Sequence, residues 1–330
     1  MKKKRIALLL VVCILLSALS ACKNAEKDSK ETYRISFFDE KGNFYKAFDV
    51  AEGESIPYPG DLVKKDYIFA GWYTAPQYGS KFDFSQKATQ NLALYANFQI
   101  DAASITNKIS RDIMKSIVKI QCRSYNMFWD LFETESTGWS QGSGFCFEAN
   151  NGCYYILTNC HVAMVEKGYD YLEIKIEDYK GKEYKGFLYH NSSKKGDAIS
   201  AEYDLACIYF KADSSKTDVQ PLSLKSYNPE VGEDVISLGA PKSQTNSITF
   251  GKIKRYSTIT LDETPKYESN VTFPVIHHSA ETDKGSSGGP LLNSECKVVG
   301  VNYAVSTGGG NDYALPIEKV HEFLTKYVYG

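Results

Sequence analysis

Apolar positions along this 330-residue chain recur mainly in short runs and at every second residue, the period of strands rather than helices. Tyr33 to Phe38 alternates weakly, Gly42-Asn43 turns the chain, and Phe44 to Val50 returns as a hairpin partner. Tyr67 to Tyr73, Phe82 to Phe84 and Asn91 to Phe98 add further short strands. Asp101 to Ser104 is a linker, after which Ile105, Ile109 and Ile113 form a helical stripe that Ser104 is placed to cap. Strands return at Ser116 to Arg123 and, as a hairpin turning at Asn150-Asn151-Gly152, at Gly144 to Phe147 and Cys153 to Thr158. More are predicted at Tyr171 to Glu177, Lys185 to Tyr189, Asp204 to Phe210, Asp234 to Leu238, Ile248 to Tyr256 and Lys297 to Val301. Pro316 opens a helix whose Ile317, Val320, Leu324 and Tyr327 share one face. Many short strands with few helices imply an all-β barrel architecture. An aromatic insertion, Met127-Phe128-Trp129-Asp130-Leu131-Phe132 with Trp139, is expected to pack against that barrel, because large apolar side chains usually find burial.

One stretch departs from the strand pattern. Ile6 to Leu16 is almost wholly apolar and follows Lys2-Lys3-Lys4-Arg5, which marks an export signal too short to span a membrane. Leu19-Ser20-Ala21-Cys22 resembles the lipobox of bacterial lipoproteins, in which cleavage leaves a diacylated cysteine at the new N-terminus. Residues 1–21 therefore read as a lipoprotein signal peptide and 22–32 as a polar tether, with lipid on Cys22. The resemblance implies a chain anchored to the extracytoplasmic side of the cell membrane without a transmembrane helix.

Composition narrows the partners. The formal charge of −2 becomes −6 once the four basic residues of the signal depart, and no basic cluster remains, which argues against nucleic acid. Six cysteines stay after Cys13 leaves and Cys22 takes lipid: Cys122, Cys146, Cys153, Cys160, Cys207 and Cys296. They admit 15 pairings, and several stand at strand positions where a free thiol packs as a small hydrophobe, so the pairing stays open. No cofactor or metal is expected. His277-His278 are strand neighbours facing opposite ways, and Gly308-Gly309-Gly310 lacks the strand–helix context of a phosphate loop.

The chemistry gathers at Gly285-Ser286-Ser287-Gly288-Gly289-Pro290, a tight turn that exposes a hydroxyl. A serine nucleophile needs a base for its proton and donors for the oxyanion. The backbone N–H groups of Gly285 and Ser287 are candidate donors. Ile156 to Val162 is an apolar strand ending in His161, and Asp204 opens the strand through Ile208. The order His161, Asp204, Ser287 differs from the orders of subtilisin-like and α/β-hydrolase triads. Together with Gly142-Ser143-Gly144, Leu157 to His161, Asp204 to Ala206 and Gly285 to Pro290, it resembles the trypsin-like serine peptidases of the HtrA-like and glutamyl-endopeptidase-like type.

That resemblance spans residues 105–330. It implies a chymotrypsin-like double β-barrel with a C-terminal helix, no PDZ segment after it, and an endopeptidase acting on proteins or peptides. By the same resemblance, Ser287 is nucleophile, His161 base and Asp204 its orienting acid. Glu281 would then lie at the base of the primary specificity pocket, followed by Thr282, with Asn302 on the wall strand. Thr282 keeps half of the glutamyl-endopeptidase pocket pattern, while Asn302 stands where those enzymes carry histidine. The expected preference before the scissile bond is basic or neutral. Ser286 replaces the aspartate that pairs with a freed N-terminus in secreted animal relatives, so no such zymogen switch is expected. The alternative is an inactive protease-fold surface protein that binds or adheres.

Residues 33–100 resemble the Listeria–Bacteroides (internalin B-type) repeat, with Phe69-Ala70-Gly71-Trp72-Tyr73 and a closing Leu94-Tyr95-Ala96 strand. The resemblance implies a small β-grasp-like module, without a catalytic constellation, that contacts surface proteins or the cell wall.

Overall fold

The computed structural model describes residues 30–76, 79–129, 131–193, 196–240, 247–259, 269–305 and 312–329. The signal peptide, Cys22 and Gly308-Gly309-Gly310 lie outside the described residues. The chain divides into two units, Met1–Gln99 and Ile100–Gly330.

In the first unit, β1 (Thr32–Phe38), β2 (Phe44–Ala51), β3 (Tyr67–Tyr73) and β4 (Leu92–Ile100) form a sheet in the order β2-β1-β4-β3. The central pair β1 and β4 is parallel, with Ile35 opposite Leu92. Parallel neighbours need a crossover, and the long segment after β2 supplies it. Ile35, Phe37, Leu94 and Ala96, two apart on their strands, face one core with Trp72. Phe37 meets the Trp72 ring edge-on at 5.0 Å, and the indole N–H donates to the Gly60 carbonyl at 3.1 Å. This is a β-grasp arrangement built around one tryptophan.

The second unit opens with α1 (Ala102–Lys108), whose cap is Asp101 rather than Ser104: its carboxylate accepts from the N–H groups of Ala103 and Ser104. The chain then enters a six-stranded barrel. Its strands are β5 (Ile117–Phe128), β7 (Ser140–Asn150), β8 (Cys153–Thr158), β9 (Tyr171–Asp178), β10 (Glu183–Leu188) and β14 (Leu205–Lys211). They run in the order β10-β9-β5-β7-β8-β14 and close through β10–β14. Asn151 and Gly152 both take positive φ (50° and 73°), the primed turn expected between β7 and β8. Three two-residue strands, β11 (His190–Asn191), β12 (Gly196–Asp197) and β13 (Ile199–Ser200), lie between β10 and β14. A spur, β6 (Phe132–Ser136), pairs with β5, outside the barrel path.

A second barrel closes in the order β15-β16-β17-β20-β19-β18. It comprises β15 (Asp234–Gly239), β16 (Ser247–Ser257), β17 (Val275–His278), β18 (Pro290–Asn293), β19 (Val298–Val305) and β20 (Asp312–Pro316). The helix α3 (Ile317–Phe323) follows at once. Its Ile317, Val320 and Phe323 join a core that also takes Phe145 and Leu157 from the first barrel and Leu238, Leu292 and Val301 from the second. Alternation divides the labour: Val118 and Ile120 fill the first barrel, while Ile117 faces this shared core. The barrels are thus fused by apolar packing.

Candidate active site

His161 sits in α2 (Cys160–Ala163), a single turn that begins where β8 ends. Asp204 stands just before β14, the strand that pairs with β8, so the sheet carries both residues to one edge. Asp204 is fully buried and holds His161 twice. Its Oδ2 lies 2.7 Å from the imidazole Nδ1, and its Oδ1 accepts from the His161 backbone N–H at 3.0 Å. A carboxylate bonded to both backbone and ring fixes where the imidazole stands and which tautomer it adopts. Asp204 takes a left-handed backbone (φ 47°), which a short polar side chain tolerates better than most. Its own carbonyl accepts from Asn159 Nδ2 at 3.0 Å, so α2 and the aspartate brace each other.

Ser287 comes from the second barrel, on the turn leading into β18. That turn is stitched to the first barrel through Ser143. The Ser143 N–H donates to the Ser287 carbonyl at 2.8 Å, and its buried hydroxyl donates to the Gly285 carbonyl at 2.6 Å. The same hydroxyl accepts from the Ala240 N–H at 2.8 Å, and the Ser143 carbonyl accepts from Thr158 Oγ1 at 2.7 Å. Gly288 (φ 85°) passes so close that a Cβ there would lie 2.2 Å from the Ser143 carbonyl and 2.3 Å from Thr158 Oγ1. Thr158 is three residues before His161, so the close approach brings the serine turn to the end of β8. With the Gly285 and Ser287 carbonyls engaged by Ser143, their N–H groups donate to no protein acceptor among the described residues. Two turn donors left unpaired in a rigid backbone are what an oxyanion hole requires.

The pocket residues fall differently from expectation. Glu281 is exposed, with its carbonyl accepting from Thr249 Oγ1 at 2.6 Å. Solvation keeps the carboxylate in water, since a desolvated charge without a partner is costly. Thr282 is partly buried, and both its N–H (3.0 Å) and its hydroxyl (2.6 Å) donate to Asp312 Oδ1. Asp312, on β20, is the buried acid of this region, and sequence reasoning missed it because only the fold brings positions 282 and 312 together. The Asn302 side chain is buried and donates to Ser237 Oγ and the Leu238 carbonyl, while its backbone pairs with Gly288 and Gly289. It braces the serine turn from behind. Ser143 was visible in the Gly-Ser-Gly motif, but its role as a stitch was not. Ser286 is buried, and its Oγ accepts from the Asp283 N–H at 3.3 Å.

The adjacent histidines have unlike surroundings. His277 Nε2 pairs with Ser257 Oγ at 2.8 Å, whereas His278 is fully buried and faces Asp312 in register. Burial lowers its pKa to about 4. Cys122, Cys146, Cys153 and Cys207 are free thiols. Burial pushes those of Cys122 and Cys146 up to about 12, out of reach of thiolate chemistry near neutrality.

Residues 142–301 match the trypsin-like peptidase domain. The chain carries a trypsin-like peptidase domain. Residues 33–97 match the Listeria-Bacteroides repeat domain. The chain is similar to the mitochondrial serine protease HTRA2 of Drosophila ananassae, at 29% identity over 211 residues, 64% of this chain and 44% of that protein. It is similar also to HhoA of Synechocystis sp., at 31% identity over 180 residues, 54% of this chain and 41% of that protein. The peptidase-domain chain thus spans less than half the length of these curated relatives. Among solved structures, the active form of the Rv3671c protease from M. tuberculosis superposes with a TM-score of 0.52 at 20% identity. That match covers 69% of this chain and 87% of the other, and it places the peptidase domain in the same fold.

Proposed function

We propose that the chain is a serine endopeptidase in which Ser287, His161 and Asp204 act as the triad. The observation that carries this reading is the double hold of Asp204 on His161, together with a serine turn whose Gly285 and Ser287 donors are unpaired among the described residues. With Nδ1 engaged by Asp204, Nε2 takes the Ser287 proton as Oγ attacks the peptide carbonyl. The oxyanion that forms is met by the two backbone N–H groups. Collapse breaks the C–N bond, the imidazolium returns its proton to the leaving amine, and an acyl-enzyme remains on Ser287. Water, deprotonated by His161, then releases the acid. Ser286 already holds a backbone partner, so the reading requires no freed N-terminus to shape the turn.

Ser287→Ala tests the proposal: it should abolish both labelling by a fluorophosphonate and peptide cleavage while leaving the unfolding transition in place. Strong residual cleavage, or labelling at another serine, would sink it. The lipobox adds that Cys22 holds the enzyme at the outer side of the membrane. Cys22→Ser should release the chain from membranes or leave the precursor uncut, and unaltered partition into detergent would count against the anchor.

A further inference from the structure

Asn159 stands between the end of β8 and the single turn α2, which it precedes as N-cap, and it is fully buried. Asparagine is favoured at such a place because its side-chain oxygen can accept from the backbone N–H two or three residues on. Here it does not. The side chain makes no capping bond, and Oδ1 has no donor among the described residues. The N–H that such a cap would take first, that of His161, donates to Asp204 Oδ1 at 3.0 Å instead. Asn159 in turn donates from Nδ2 to the Asp204 carbonyl at 3.0 Å, across 45 residues of sequence. The two side chains have exchanged tasks: the aspartate caps the turn, and the asparagine holds the aspartate. Turning the amide over would set two oxygens against one another, so the bond itself fixes which end faces Asp204.

The exchange works against stability at two points. A buried amide oxygen without a donor is unfavourable, and an apolar side chain of the same shape would avoid it. Asp204, for its part, keeps a left-handed backbone (φ 47°) that a residue with a Cβ adopts only at a cost. What the arrangement secures is direction. The Asp204 carbonyl lies in the peptide plane next to the Cα from which the carboxylate departs, so holding the one orients the other. Asn159 also abuts the serine turn, since a Cβ at Gly288 would lie 3.1 Å from its backbone nitrogen. It thus touches the segments that carry Asp204 and Ser287, and it stands two residues before His161.

We propose that Asn159 is a positioning residue: by holding the Asp204 carbonyl it sets the direction from which the carboxylate meets His161 Nδ1. The proposal rests on the triad reading above and adds to it a residue that touches no substrate. Without the Nδ2 bond, the strained backbone of Asp204 is free to relax and its carboxylate turns from the ring. The imidazole then loses the orientation in which it takes the Ser287 proton, and a small misalignment at a reacting centre lowers the rate steeply.

A double-mutant cycle with Asp204, read by the rate of fluorophosphonate labelling, tests this. Asn159→Leu keeps the shape of the side chain and removes both the donor and the unpartnered oxygen. It should lower the saturating rate of labelling by at least ~10-fold, leave the half-saturating probe concentration within about twofold, and hardly move the unfolding transition. Asp204→Ala should cost on the order of 1,000-fold or more. Adding Asn159→Leu to it should change the rate by less than about twofold, because no carboxylate is left to aim. The pH of half-maximal labelling should fall in Asn159→Leu, since a carboxylate turned from the ring favours its charged form less, and should fall no further in the double variant. Labelling by Asn159→Leu within about twofold of wild type overturns the proposal. So does a loss that multiplies with that of Asp204→Ala, which would mean that Asn159 acts on the serine turn or on the fold at large. If Asn159→Leu does not fold, Asn159→Ala takes its place, and failure of both assigns the residue to stability and overturns the proposal as well. Near-normal labelling by Asp204→Ala is a separate result: it would remove the triad itself, and the positioning role with it.

Discussion

Replacing Ser143 by alanine probes the joint between the barrels. The hydroxyl makes two hydrogen bonds in a fully buried position, one to the Gly285 carbonyl and one from the Ala240 N–H. Alanine fits the space but leaves both backbone groups unpaired. Each unsatisfied buried group costs about 1–3 kcal/mol, so the folded state should lose roughly 2–6 kcal/mol if nothing moves. In a unit of this size that corresponds to a fall in Tm of roughly 5–20 °C. If instead the Gly285 carbonyl shifts to find water, stability recovers and the oxyanion donors move. A misplacement of about 1 Å near a reacting centre costs on the order of 100-fold in rate. Chemical denaturation and the rate of fluorophosphonate labelling, measured on the same preparation, separate the two outcomes. A midpoint within about 0.5 kcal/mol of wild type together with labelling within twofold would refute the role assigned to Ser143.

Three further changes test other parts of the site. Gly288→Ala combines a left-handed backbone with contacts of 2.2 and 2.3 Å; it should cost about 2–4 kcal/mol and slow labelling by at least ~100-fold, and a near-normal rate would contradict the packing. His278, with its folded pKa lowered to about 4 against an ordinary 6.5, has no effect on stability above pH 6.5, where both states are neutral. As pH falls from 6.5 to 4 only the unfolded state gains the proton, so about 3 kcal/mol is lost across that window, and His278→Gln should lose correspondingly less in denaturation at pH 7.5 and 4.5. In a randomised peptide library, Lys or Arg before the cut should be enriched and Glu rejected; Asp312→Asn should weaken that preference more than Glu281→Gln, because Glu281 is solvated. Enrichment of Glu would refute it.

Strands that alternate or end in a turn signal were legible, as at Tyr67–Tyr73 and the Cys153–Thr158 hairpin. β18 and β20 were not, and of β17 only the His277-His278 pair was placed on a strand. Val275–His278 and Pro290–Asn293 are four-residue strands buried throughout, and such short runs carry no period to read. Asp312–Pro316 was hidden beside a glycine run and ends in proline. His161, Asp204 and Ser287 stood out in the sequence because each lies in a local motif. Asp312 and the hold of Ser143 arise from contacts 30 and 142 residues apart, where no local pattern exists. The aromatic insertion went the other way. Burial is the usual fate of such side chains, yet Phe128, Trp129, Leu131 and Phe132 are exposed where β6 pairs with β5.

In the proposed triad His161 and Asp204 belong to the first barrel and Ser287 to the second, so the proposed enzyme is split between two halves of one chain. During synthesis the proposed base and its orienting acid exist before the proposed nucleophile has been made. At about 5–20 residues per second, the 83 residues from Asp204 to Ser287 take on the order of ten seconds. Even then the turn must still be joined to the first barrel, where Ser143 bonds the Ser287 and Gly285 carbonyls. On the proposed triad, docking of the two halves is the step that completes the site, and a chain still emerging from its ribosome would be unarmed.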